Sequence, residues 1–225
     1  MSIIAISRCS YTHGKDVAEA VAKTLGFTCI SREELLDAPQ EFNMHGLDLA
    51  RELPIFLEQN IFNKYRYISY IRSALLRHLS KDNIVYHGFC ENVFLKDIDH
   101  VLKVQITADL EDRVKLVMER NGLSRSETLL LLKTLDDARK NWCQKLYKND
   151  LSSMGQYDIS FNISKFPRDR AVNIICKAMQ LKRFQTTPES SKTTNELFIN
   201  SETKQDEFSD NHVKRISLMA CLIGV

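Results

Sequence analysis

The sequence predicts an α/β fold, a parallel β-sheet covered by helices on both faces. Three observations lead there. Five short runs rich in Ile, Val, Leu and Phe alternate with segments whose apolar residues recur every three or four positions, the alternation that builds βαβ units. Glycines and Ser-x-x-Glu boxes stand where those helical segments should stop and start. Of 225 residues, 44% are hydrophobic and 27% charged, a globular composition long enough to bury a core without disulfides or a structural metal.

The elements follow in order. Residues 2–8 (SIIAISR) are the first strand, an apolar run at the very start. After the loop-like CSYTH, Gly14-Lys15 opens a helix in which Val17, Ala18, Val21, Ala22 and Leu25 share a face, and Gly26 stops it. Phe27–Ile30 is the second strand, and Ser31 with Glu34 three residues on forms a capping box for another helix. Residues 41–80 read as mainly helical, with breaks near Gly46 and Pro54; within them Tyr65, Tyr67 and Tyr70 interleave with Arg66 and Arg72. Residues 83–87 (NIVYH) are the third strand, ended by Gly88, and 100–107 (HVLKVQIT) the fourth, with Leu102, Val104 and Ile106 alternating against polar positions. Ala108–Asn121 is a helix closed by Gly122. Ser124 and Glu127 form a second capping box, opening a long helix that runs to Tyr147. Tyr157–Ile163 alternates as the fifth strand, and Pro167, which has no amide hydrogen to lose, is placed as the first residue of a final helix through Leu181. Residues 1–184 thus read as one domain. Residues 185–225 turn polar, and are expected to be a mobile or weakly structured C-terminal tail or a truncated second module, with Ile216–Val225 apolar again.

Composition also argues against several function classes. Lys and Arg number 31 against 29 Asp and Glu, a net charge of +2, which gives no general attraction to nucleic acid or to an anionic membrane. No apolar run is long enough to span a bilayer, and MSIIAISRCS lacks the basic start and long apolar stretch of a secretion signal. The 6 cysteines are scattered without a C-x-x-C pair, so a cytoplasmic, reducing location is expected. The histidines have no metal-ligand spacing, and no metal site is expected from the protein alone. Oligomeric state has no signal here.

The chemistry concentrates in the loop after the first strand. In an open parallel sheet, ligands bind beyond the carboxyl ends of the strands. A loop leading into a helix presents backbone N–H groups to a phosphate, with the helix dipole behind them. The usual phosphate loop is G-x-x-x-x-G-K-[ST], its lysine reaching the β- and γ-phosphates. Here the window is Cys9-Ser10-Tyr11-Thr12-His13-Gly14-Lys15-Asp16. The second glycine and the lysine are kept, Cys9 replaces the first glycine, and Asp16 stands where a hydroxyl normally holds Mg²⁺. Ser10, Tyr11, Thr12, His13, Gly14, Lys15 and Asp16 are the candidate phosphate-binding residues. Asp16 reads either as a carboxylate ligand for Mg²⁺ or as a first-turn charge favoured by the helix dipole. A plain helix start with a turn glycine and an exposed lysine is the competing reading of the whole window.

Taken in order, Ile4–Arg8 (IAISR), Gly14-Lys15-Asp16-Val17-Ala18-Glu19, Ser31-Arg32-Glu33, His87-Gly88, Thr107-Ala108 with Glu111-Asp112-Arg113, Asp136-Asp137-Ala138-Arg139 and Tyr157-Asp158-Ile159 resemble the cytidylate kinase-like family of P-loop nucleoside monophosphate kinases. The resemblance lies in order and spacing rather than in any one piece. It implies a P-loop NTPase fold of three layers, α/β/α, with a five-stranded parallel sheet in the order 2-3-1-4-5, an acceptor-binding arm and an arginine-bearing lid. It implies ATP with Mg²⁺ as donor and a nucleoside monophosphate as acceptor, CMP or dCMP first. Residue by residue, it implies that Gly14 and Lys15 cradle the donor phosphates and that Ser31 and Arg32 lie near the acceptor. Arg113, Asp136 and Arg139 match lid and acceptor-contacting positions. Arg72 joins the acceptor side from its place among the tyrosines. Lys15, Arg113 and Arg139 are the expected catalytic residues. Two departures stand out: the arginine that usually follows the third strand's glycine is Phe89, and that strand lacks an acidic residue at its end.

Phosphoryl transfer needs in-line positioning, water exclusion and positive charge more than covalent help. Arg supplies a planar fork that binds phosphate oxygens bidentately and keeps its charge. Arg113 and Arg120 share a face of one expected helix, and Arg125, Lys133, Arg139 and Lys140 follow on the next. The two helices, joined at Asn121–Leu123, are expected to form a basic flap over Lys15. The competing reading pairs Asp136 with Arg139 at i,i+3 on a solvated surface. Two functions stay open: a monophosphate kinase, and a catalytically weak or inactive nucleotide-binding regulatory protein on the same fold, suggested by Cys9, Phe89 and the missing strand-end acid. A kinase for a different small acceptor is the third.

Overall fold

The computed structural model describes residues 2–31, 34, 73–79, 83–88, 95, 98–147, 156–197 and 199–200, and of 142–147 the backbone. Its sheet comprises β1 (Ile3–Arg8), β2 (Thr28–Ser31), β3 (Ile84–Gly88), β4 (Val101–Thr107) and β5 (Ile159–Asn162). All the pairings are parallel, in the order β2-β3-β1-β4-β5, the order the resemblance implied. The helices are α1 (Gly14–Leu25), α2 (Leu110–Asn121), α3 (Arg125–Tyr147) and α4 (Arg168–Ala178). Ile3, Ile4, Ala5 and Ile6 are fully buried, because a central parallel strand is covered on both faces and needs an unbroken apolar run. The register sets Ser7 opposite Gly88 and Gln105. The last residues of β1 therefore sit at the carboxyl edge of the sheet, between the ends of β3 and β4.

One face of the core packs Val17, Ala18, Val21 and Ala22 of α1 against Ala171, Val172 and Ile175 of α4 and the strands below. Full burial of each larger side chain is worth about 1.5–3 kcal/mol. α1 and α2 end on Gly26 and Gly122, both left-handed (φ 69 and 66), whose amides close onto the Ala22 and Met118 carbonyls. β5 is fixed to β4 by a reciprocal pair: the Asp158 amide donates to the Lys103 carbonyl, and the Lys103 amide to Asp158 Oδ2, both at 2.8 Å.

Both predicted capping boxes form. Ser31 and Glu34 exchange amide-to-side-chain bonds at 3.1 Å, as do Ser124 and Glu127 at 2.8 and 3.3 Å. The final helix differs from expectation. Pro167 is its extended N-cap (ψ 137), not its first helical residue, and the helix ends at Ala178 rather than Leu181. Within the expected tail, residues 188–197 are helical. Thr187 and Ser190 cap that segment reciprocally at 2.9 and 3.1 Å, Thr194 is buried, and Phe184 anchors the chain before it in the core. Within the expected helical stretch 41–80, residues 73–79 are helical and bury Leu75, Leu76 and Leu79. The remainder of that stretch lies outside the described residues, with Tyr65, Tyr67, Tyr70, Arg66 and Arg72, and so do Arg32, Phe89 and 201–225. Among the described residues no helix is long and apolar enough to cross a membrane.

Candidate functional site

β1 turns into α1 through residues 9–13. Tyr11 and His13 both take the left-handed backbone conformation, φ 58 and 51, with Thr12 between them at negative φ. Each left-handed residue costs about 1–2 kcal/mol, so the turn is held by something else. One hold is Thr12, buried, whose hydroxyl donates to the Cys9 carbonyl at 2.9 Å. Alternating handedness turns successive N–H groups toward one concavity, the arrangement that binds anions. Among the described residues, no protein acceptor takes a hydrogen bond from the backbone amides of Tyr11 and of residues 13–16, while residues 10 and 11 form a turn closed by Thr12 on Cys9. Gly14 is fixed by close approach: a Cβ there would meet Arg8 Cβ at 2.4 Å. Lys15 follows, its Nζ 3.7 Å from Glu19 Oε1 in a largely exposed pair, loose enough for the ammonium to swing to another partner.

Two arginines meet this loop from α2 and α3. Arg113 is 7% exposed. Its Nη1 and Nη2 donate to the two carboxylate oxygens of Asp136 at 2.9 Å, and its Nε donates to the Ser10 carbonyl at 3.0 Å. Arg139 donates through Nη2 to Ser7 Oγ at 2.8 Å and through Nη1 to the Arg8 carbonyl. The Tyr157 hydroxyl is 3.2 Å from the same Ser7 Oγ. No carboxylate pairs with Arg139 among the described residues. Asp136 therefore pairs with Arg113 and not with Arg139, against the i,i+3 reading. Of the two arginines expected to face a phosphoryl group, Arg113 has its charge matched and Arg139 does not. Arg125, expected in the flap, forks onto Glu111 at 2.8 Å instead, and its hydrogen bonds hold that carboxyl below the usual range.

On the other side of the loop, Asp16 Oδ2 lies 2.7 Å from His13 Nδ1 and 3.3 Å from Arg168 Nη1. Asp16 Oδ1 takes no protein hydrogen bond among the described residues. One carboxylate oxygen beside a phosphate nest suits Mg²⁺, which binds through one or two carboxylates plus substrate phosphates rather than in an all-protein cage. The described residues contain no group of three His, Cys, Asp or Glu arranged to hold a metal. A cleft of about 400 Å³ opens beside the loop between α1 and α4, lined by Asp16, Val17, Ala20, Arg168, Asp169 and Val172.

The structure thus brings Ser10, Tyr11, Thr12, His13, Gly14, Lys15 and Asp16 together with Arg113, Asp136 and Arg139. Ser31 is elsewhere, at the end of β2 two strands from β1, with its hydroxyl capping the Glu34 amide. Arg32 and Arg72 lie outside the described residues. Sequence reasoning missed Ser7, Arg8, Tyr157 and Arg168 as parts of the site. For Ser7 and Arg8 the signal was their position as the last two residues of the first strand. The end of β3, where an acid is absent, carries buried His87, whose Nδ1 accepts from Arg8 Nε at 3.1 Å.

The sequence model of the Cytidylate kinase-like family matches residues 3–165. A cytidylate kinase of Archaeoglobus fulgidus is 33% identical over 107 residues, 46% of this chain and 56% of that protein. The match thus spans little more than half of that relative's length. The crystal structure of an uncharacterized protein from Eubacterium ventriosum has a similar fold, with a TM-score of 0.61 at 23% identity, covering 81% of this chain and 100% of that one. The matched residues take in all five strands, the loop at Gly14-Lys15 and both arginine-bearing helices. The chain belongs to the cytidylate kinase-like family.

Proposed function

We propose that the protein transfers the terminal phosphoryl group of ATP, with Mg²⁺, to a nucleoside monophosphate, CMP or dCMP first. The observation that carries this reading is the set of amides at Tyr11 and residues 13–16 that meet no protein acceptor among the described residues, flanked by Lys15 and by Arg139, which faces no carboxylate among them. Amides at a helix N-terminus bind phosphate oxygens without rearrangement. Lys15 leaves its loose pair with Glu19 for the β- and γ-phosphates. Arg139, held by Ser7 and the Arg8 carbonyl at the carboxyl edge of β1, offers its remaining N–H donors to the charge that spreads over the moving phosphoryl group. The cleft between α1 and α4 adjoins the loop through Asp16; its apolar floor of Val17, Ala20 and Val172 suits the base of the donor. Asp16 would hold Mg²⁺, which would supply positive charge to neutralise the donor's phosphates. The cytidine preference follows the name of the Archaeoglobus relative.

A second reading, a nucleotide-binding regulatory protein, is favoured by His87 in place of an acid at the end of β3 and by Cys9 in place of the loop's first glycine. A panel of CMP, dCMP, UMP, AMP and GMP with ATP and Mg²⁺ separates the two. Turnover of a cytidine monophosphate is expected. Saturable ATP binding by calorimetry with no product from any acceptor would replace the first reading by the second, and absence of ATP binding would end both.

A further inference from the structure

We infer that Arg113, oriented by Asp136, is a positioning residue that sets the peptide planes of the phosphate loop, and not a ligand of the transferred phosphoryl group. The inference rests on the reading above, in which this loop holds the donor's phosphates. Three consecutive carbonyls at the start of the loop are each held by a side-chain donor. The Arg8 carbonyl accepts from Arg139 Nη1, the Cys9 carbonyl from Thr12 Oγ1 at 2.9 Å, and the Ser10 carbonyl from Arg113 Nε at 3.0 Å. In a planar trans peptide, the carbonyl and the following N–H point in opposite directions. Drawing the Ser10 carbonyl toward α2 therefore turns the Tyr11 N–H away from α2, as the first of the amides that meet no protein acceptor among the described residues. The Tyr11 ring takes a second hold on the same helices, packed against the cluster of Val114, Val117 and Leu132.

The clamp answers a problem posed by the sequence. Cys9 stands where a glycine would relax the turn, and Tyr11 and His13 are side-chain-bearing residues at positive φ. His tolerates a positive φ better than most residues, but a bulky Tyr does not, so donors from other elements help to select this shape. Arg113 is built for that task and poorly placed for binding phosphate. It is 7% exposed, its charge is matched by a bidentate carboxylate, and three of its N–H donors are already engaged. Asp136 holds both Nη atoms, which leaves Nε aimed at Ser10.

The test compares Arg113→Lys and Asp136→Asn in the full chain with wild type, by ATP calorimetry and by steady-state kinetics on the monophosphate that wild type turns over. Arg113→Lys keeps the charge and loses the fork. Asp136→Asn, at a half-exposed position, loosens the fork without emptying the site and stands in should the lysine variant fail to fold. Both variants are expected to raise the Kd and KM for ATP about tenfold, with the acceptor KM and the kcat at saturating ATP changed by no more than about threefold. A fall in kcat with unchanged ATP KM, the signature of a group that acts only in the transition state, would overturn the inference. So would a rise confined to the acceptor KM, or variants that bind ATP as wild type does. Wild type without ATP affinity would instead remove the proposed function itself, so the two failures are distinct.

Discussion

A methyl group on Gly14 would lie 2.4 Å from Arg8 Cβ. Arg8 closes a strand buried on both faces and Gly14 is itself buried at the start of α1, which limits how far either can shift. Gly14→Ala is expected to destabilise the protein by about 1–3 kcal/mol through overpacking and to weaken ATP binding as the loop is pushed off β1. Thermal unfolding and calorimetry read these two effects separately, and an alanine variant with wild-type stability would contradict the contact. Lys15 is the opposite case. Its side chain is exposed and its pair with Glu19 is long, so Lys15→Ala is expected to shift stability by less than about 0.5 kcal/mol. The same variant should lower turnover about a hundredfold or more. A melting curve beside the monophosphate panel checks both statements, and retained turnover would refute the role given to the ammonium. Arg139 and Arg113 show that residue type alone does not assign a role. Both are arginines on neighbouring helices, yet among the described residues one faces a carboxylate and the other does not. Arg139→Lys should therefore reduce kcat about a hundredfold, where Arg113→Lys acts through ATP binding; steady-state kinetics at saturating ATP distinguishes them, and equal kcat effects would show that the distinction is wrong.

At the scale of elements, the α2–α3 pair is shaped by how α2 ends and α3 begins. Gly122 closes the first helix and the Ser124–Glu127 box opens the second, which fixes the angle at which Arg113 and Asp136 meet. Ser124→Ala removes the side-chain acceptor of the Glu127 amide and is expected to cost about 1 kcal/mol, measured as a lowered denaturation midpoint; a neutral result would mean that this cap contributes nothing to the fold. These boundaries were legible in the sequence because caps act over three or four residues. The start of α4 was read one residue early. Neither the N-cap nor the first helical position needs its amide in the helix, so a proline suits both, and only the extended ψ of Pro167 separates them. The helix over 188–197 was not read at all, because its polar composition argues for disorder while its anchor, Phe184 in the core, is a tertiary contact.

Over the whole molecule, the sheet order places one edge of the fold under chemical load and leaves the opposite edge to stability. His100, just before β4 at that opposite edge, is 3% exposed, and its Nδ1 has no hydrogen-bond partner among the described residues. Burial pushes its pKa below the usual value. The unfolded chain, with an ordinary histidine near 6.5, then takes up the proton first as pH falls. Stability should be complete above about pH 6.5 and decline below it, through the window down to the lowered folded value. Urea unfolding from about pH 7.5 to about pH 5 should show that slope, and His100→Gln should flatten it; an unchanged slope in the variant would assign it to other groups. The sequence by itself determined the five strands, α1 to α4 and the loop at Gly14-Lys15 and, through the order and spacing of its motifs, the family. The signals for the elements lie within a few residues of one another along the chain, where periodicity and capping act. The tertiary structure alone decided what each charged residue does. Arg113 meets Asp136 across 23 positions, the Ser10 carbonyl meets Arg113 across 103, and the Arg8 carbonyl meets Arg139 across 131. An ion pair or hydrogen bond depends on distance in space, and that distance exists only once the sheet has brought the ends of β1 and β4 side by side.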